Sequence, residues 1–163
     1  LVDASRLYAA VQNDPNLYAA ALPGPGSISV MPFTNGRPAL DEGVNGLALA
    51  AGKLFLTAFT DVENFKFGIS FVDTSGGSPQ SILSDRPRIS DIVADANHVW
   101  WLESEDDSVS TGAIWSAAHD GSNPVKVATG LKDGSALRQN STAVFAISSD
   151  PSTGKATIVK VAK

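Results

Sequence analysis

An internal repeat of about 45 residues is the feature that most constrains how this chain can fold. Four segments each place small turn-forming residues before an aliphatic residue that is followed directly by an aromatic one. The aliphatic residues are 47, 45 and 45 positions apart, and they are Leu7, Leu54, Val99 and Val144. The aromatic residues are Tyr8, Phe55, Trp100 and Phe145. A fixed period of this length indicates stacked supersecondary units and not one irregular domain.

Composition narrows the class of protein. The chain has 163 residues, of which 43% are hydrophobic and 18% charged, so it can bury a core and is not of disordered composition. A net charge of -5 argues against a nucleic-acid binder, and no apolar run approaches the roughly 20 residues that span a membrane. The absence of Cys excludes disulfides and thiolate metal sites. The chain begins without Met and is rich in small polar residues, so we expect an upstream segment to have been removed and a periplasmic or extracellular location.

Each repeat contains short strand-like runs separated by turn residues. In the third repeat these runs cover residues 91–94, 99–102, 113–117 and 125–128, and Asp120-Gly121 provides a favoured hairpin turn between the last two. The second repeat has the same order at residues 46–50, 54–59, 68–72 and 80–83. The pattern therefore predicts four antiparallel strands in one repeat.

Two segments resemble β-propeller blades, which are four-stranded repeats of this length. Val-Trp-Trp-Leu-Glu at 99–103 is similar to the second-strand signature of YWTD-type and related six- or seven-bladed propellers, and residues 114–121 resemble their third strand and turn. The resemblance implies an all-β fold with about 3.75 blades in this chain, at residues 1–40, 41–85, 86–130 and 131–163. A β-sandwich or a β-solenoid is the alternative, because both also use short strands and Gly/Pro turns.

The last repeat has only three strand-like runs, so its outer strand is missing. Propellers normally close a ring and leave no open sheet edge. We therefore expect a partial propeller that is completed by a second polypeptide or by the other part of a cleaved precursor. A variant of this expectation is that two copies pair into a ring of about eight blades.

Candidate metal ligands lie on the strands predicted to line the central channel. Asp91 and Asn45, together with Arg138 and Asn140, could contribute to a metal or polar site there. Oxygen ligands of this kind suit Ca²⁺ or Mg²⁺, although polar groups in such a channel also bind ordered water. The prediction is therefore no cofactor, with Ca²⁺ as the alternative.

Candidate binding residues lie at the connections between repeats and beside them. Arg37, Arg86 and Arg88 bring positive charge to the same face, where arginine can bind carboxylates or anchor a protein interface. Trp101 is added as a possible stacking residue, because adjacent Trp100 and Trp101 point to opposite sides of one strand. We expect a protein or small-molecule ligand on this face.

No nucleophile motif or phosphate-binding loop accompanies these residues. The sequence alone therefore favours a non-catalytic binding or scaffold module. The alternative is part of a metal-dependent propeller hydrolase or lactonase with its site in the central channel.

Overall fold

The computed structural model of the chain describes residues 1, 6–10, 17–21, 31–32, 44–105 and 111–163. These residues form fourteen strands and no helix, so the described part of the chain holds no helix able to cross a membrane. The strands are β1 (Arg6–Ala10), β2 (Leu17–Ala21), β3 (Met31–Pro32), β4 (Val44–Ala50), β5 (Lys53–Asp61), β6 (Lys66–Asp73), β7 (Gln80–Arg86), β8 (Ile89–Ala94), β9 (His98–Ser104), β10 (Thr111–Ala118), β11 (Val125–Lys132), β12 (Ser135–Gln139), β13 (Ala143–Asp150) and β14 (Lys155–Ala162).

The strands form four antiparallel sheets in which each strand pairs with the next one in the chain. Two sheets have four strands, β4–β7 and β8–β11, and two have three described strands, β1–β3 and β12–β14. The first strands of successive sheets, β4, β8 and β12, lie side by side. The predicted all-β propeller fold with four-stranded antiparallel blades is thereby confirmed.

The core lies between the faces of neighbouring sheets, because side chains alternate along each strand. On β5, Leu54 packs towards Tyr8 of the first sheet, whereas Phe55 packs with Val99 of the next sheet. On β9, Trp100 packs with Val144 of the last sheet. The aliphatic–aromatic pairs of the second and third repeats therefore each join one sheet to its two neighbours.

The structure places the predicted strands inside longer ones. The predicted run 99–102 lies within β9 and the run 113–117 within β10. The two complete sheets occupy residues 44–86 and 89–132, so Arg86 ends the second sheet although the predicted boundary assigned it to the third blade.

Candidate functional site

A cleft of about 1000 Å³ opens between the β5–β6 hairpin and the start of β8. It lies at the end of the sheets where β4 and β8 begin, which is the loop face that the sequence predicted for ligand binding. Six residues that define its walls and mouth are Asn45, Phe59, Glu63, Phe65, Arg88 and Ser90.

Besides half-buried Lys66, the cation that lines this cleft is Arg88. It is exposed, and among the described residues no hydrogen bond or ion pair engages its guanidinium. Its carbonyl oxygen accepts a hydrogen bond from the Ser104 backbone N–H at 2.9 Å, which fixes the connection to β8 against the end of β9. The backbone of Arg88 is therefore held in place, while its five side-chain donors have no partner among the described residues and can bind a ligand.

The β5–β6 hairpin presents an aromatic ring at the mouth of the cleft. The carboxylate of Asp61 accepts hydrogen bonds from the side-chain amide and the backbone N–H of Asn64, at 2.8 and 3.0 Å. These bonds hold the turn and keep the pKa of Asp61 below its usual value. Phe65 follows with a φ of 51°, a left-handed conformation that is uncommon outside glycine, and its side chain is 70% exposed. Its ring lies 6.4 Å from that of Phe59.

Arg86 has a different environment from Arg88. Its guanidinium donates two hydrogen bonds to the two carboxylate oxygens of Glu103, each at 2.9 Å. The indole N–H of Trp101 donates to the same carboxylate at 2.8 Å, and the Arg86 guanidinium lies 4.5 Å from the centre of the Trp115 ring. Arg86 therefore joins β7 to the following sheet.

Trp101, predicted as a stacking residue, is fully buried. Its ring stacks on that of Trp115 at a centroid distance of 6.1 Å. A ligand would meet this cluster through half-buried Trp115 or Arg86 rather than through Trp101. Arg37, the remaining predicted arginine, lies outside the described residues.

Asp91 and Asn45, the predicted metal ligands, are not brought together with other acidic or histidine ligands. One oxygen of Asp91 accepts the Ile92 backbone N–H at 2.8 Å. The other accepts the Leu137 backbone N–H at 2.8 Å and a guanidinium N–H of Arg138 at 3.4 Å. Asp91 thus ties β8 to β12, while Asn45 lines the cleft. In the described part of the chain, no three His, Cys, Asp or Glu residues cluster where a metal could bind.

A second polar cluster lies at the opposite end of the sheets, around Asp95. Burial opposes ionisation of this carboxyl group, but the backbone N–H groups of Asn97 and His98 and the Lys163 ammonium outweigh burial and lower its pKa to about 2. A ring nitrogen of His119 lies 2.9 Å from the Asp95 carbonyl oxygen. These contacts hold the turns at this end of the sheets together.

Phe65 was missed by the sequence reasoning. Its signal is a local one, because residues 61–66 read Asp-Val-Glu-Asn-Phe-Lys and place an aromatic residue within a polar turn. An aromatic residue in a hairpin turn lies outside the alternating pattern that buries side chains, so exposure could have been inferred.

The fold and the cleft on its loop face define the class of this protein as a β-propeller. No protein-family model and no curated protein matches the sequence. Among solved structures, an oligogalacturonate lyase in complex with manganese matches 96% of this chain with a TM-score of 0.58 and 16% identity. An oligogalacturonate lyase from Vibrio parahaemolyticus matches 95% with a TM-score of 0.56 and 16% identity. A puromycin-hydrolyzing peptidase from Mycobacterium tuberculosis matches 98% with a TM-score of 0.63 and 16% identity.

The chain spans 50% of the length of each lyase and 29% of the peptidase. The sequence predicted a non-catalytic binding or scaffold module, and the comparisons correct this prediction, because all three of these similar structures are enzymes. The YWTD-like subtype stays a prediction.

Proposed function

We propose that this chain is part of a β-propeller enzyme of the hydrolase or lyase class and that its cleft binds an acidic oligosaccharide. The observation that carries the proposal is the exposed Arg88, which has no partner among the described residues, in a cleft of about 1000 Å³ on the loop face. The similarity to two lyases named for oligogalacturonate supports the choice of substrate class. The YWTD-like subtype is supported by segments 99–103 and 114–121.

The cleft residues suit this chemistry. A guanidinium pairs with a carboxylate through two parallel hydrogen bonds, and Arg88 has no competing partner among the described residues. The exposed Phe65 ring offers an apolar surface for the C–H face of a sugar. Asn45 and Ser90 add hydrogen-bonding groups for hydroxyls. In this proposal the described residues bind and orient the substrate.

The first test is calorimetric titration of this chain with trigalacturonate, compared with a neutral trisaccharide. We expect binding of the acidic sugar alone, and Arg88→Ala should weaken it about tenfold or more, because a hydrogen bond to a charged group contributes about 1.5–3 kcal/mol. Arg88→Lys should recover part of the loss, since it keeps the charge but not the planar fork.

Lys155→Ala is the matched control, since Lys155 is an exposed cation on the β13–β14 hairpin outside the cleft. Equal affinity of wild type and Arg88→Ala for trigalacturonate would contradict the proposed role of Arg88 in binding.

Bond cleavage is followed separately: a lyase forms an unsaturated product that absorbs in the ultraviolet, whereas a hydrolase only forms new reducing ends.

A further inference from the structure

One face of the last sheet exposes large apolar side chains. Ile158 on β14 is 75% exposed, and its cross-strand partner Ile147 on β13 is 39% exposed. Phe145 lies on the same face two residues before Ile147 and is half-buried. We call this surface, formed by Phe145, Ile147 and Ile158, the terminal face.

Within the described chain, the other positions equivalent to Phe145 are covered. Phe55 and Trp100, 90 and 45 residues earlier, are 0% and 5% exposed. Phe55 packs with Val99 of the following sheet, and Trp100 packs with Val144 of the sheet after that. In both cases this position is covered by the second strand of the following sheet. The covering side chain is the aliphatic residue that directly precedes the aromatic residue of that strand.

The first sheet carries such an aliphatic residue. Leu7 is the repeat equivalent of Leu54, Val99 and Val144 and is half-buried. Its neighbour Tyr8 packs against Leu54 of the second sheet, so alternation along β1 places Leu7 on the opposite face. The first and the last described sheets therefore carry the two complementary halves of one inter-sheet contact.

We propose that the terminal face is covered by a second copy of this chain, whose β1–β2 sheet packs on it with Leu7 against Phe145. The contact is head-to-tail, and two such contacts related by a two-fold axis join the copies into a closed dimer. This proposal does not depend on the substrate of the cleft.

The first test is light-scattering mass across a concentration series. We expect the wild type to reach twice the chain mass of 16.9 kDa, and Ile158→Glu to stay at 16.9 kDa with an unchanged circular dichroism spectrum. Ile158 is 75% exposed in the single chain, so the charge does not disturb folding. Val125→Glu is the matched control, because Val125 is a 54% exposed aliphatic residue on β11 and should leave the dimer intact.

A second test fixes the orientation of the copies. The chain has no Cys, so an introduced pair reports one contact without background. We expect Leu7→Cys combined with Phe145→Cys to form a disulfide-linked dimer on oxidation, and Ile158→Cys alone to form none. Crosslinking by the single variant would show two terminal faces packed on each other and overturn the proposal. A wild type of 16.9 kDa at every concentration, or a dimer that tolerates Ile158→Glu, would also overturn it.

Discussion

Arg86 and Arg88 are separated by one proline and have opposite surroundings. Arg86 closes a bidentate pair with Glu103, which is 4% exposed, whereas Arg88 extends into the cleft. A guanidinium that is already paired contributes to stability, and one that is unpaired is available to a ligand. The two residues that the sequence treated alike should therefore respond differently to substitution.

We expect Arg86→Ala to lower the free energy of unfolding by about 3 kcal/mol, because it leaves the Glu103 carboxylate buried without its cation. Urea denaturation measures this change. Lys132→Ala is the control: its ion pair with Asp150 is exposed and screened by solvent, so its loss should change the free energy of unfolding far less than Arg86→Ala does. Equal losses in both variants would show that the Arg86–Glu103 pair has no special structural role.

At the scale of elements, the β10–β11 turn packs closely against the preceding sheet. Gly121 in this turn has a φ of 81°, and a Cβ at this position would collide with the Ile82 carbonyl oxygen on β7 of the preceding sheet. Only glycine allows both the backbone conformation and the close approach.

We expect Gly121→Ala to destabilise the protein by about 2–3 kcal/mol, the sum of a left-handed backbone penalty near 1 kcal/mol and the displacement of the neighbouring strand. Gly130→Ala is a matched control, because Gly130 has a φ of 73° but open space around a Cβ. The Gly130→Ala variant should be destabilised only by the left-handed backbone penalty, near 1 kcal/mol. Urea denaturation gives the free energy of unfolding of both variants, and the difference between them is the contribution of the inter-sheet contact. Equal values would show that β7 moves aside with no loss of stability.

The sequence predicted the strands of the complete sheets because a period of about 45 residues and alternation within each run are local signals. It did not predict that Trp100 and Trp101 are both buried. Adjacent residues point to opposite faces, and a sheet inside a stack is covered on both faces, so the usual contrast between buried and exposed positions is absent.

The cleft was predicted only in part, because its chemistry depends on contacts between sheets. Arg88 and the loop face follow from the repeat pattern. The pairing of Arg86 with Glu103, 17 residues away on another sheet, does not. The bonds of Asp91 across to Leu137, 46 residues away, are likewise invisible in a local pattern.

At the scale of the whole molecule, the sheets differ in how many of their faces are covered. The sheets β4–β7 and β8–β11 contribute to core clusters on both faces, whereas β12–β14 packs on one face through Val144 and exposes the other. Apolar burial is the main source of stability, so we infer a gradient of local stability along the chain.

Hydrogen exchange of the middle strands measures this gradient. β5, β9 and β13 each pair with a strand on both sides, so a comparison among them removes the effect of open edges. We expect β13 to exchange faster than β5 and β9 in dilute protein, because one face of its sheet is uncovered.

If a second copy covers the terminal face, protection of β13 should rise with protein concentration, since binding stabilises the bound state by mass action. Protection of β5 and β9 should stay constant. In Ile158→Glu, β13 should stay fast at every concentration. Protection of β13 equal to that of β9 in dilute protein would contradict the gradient, and a rise in β13 protection that persists in Ile158→Glu would assign the covering contact to another surface.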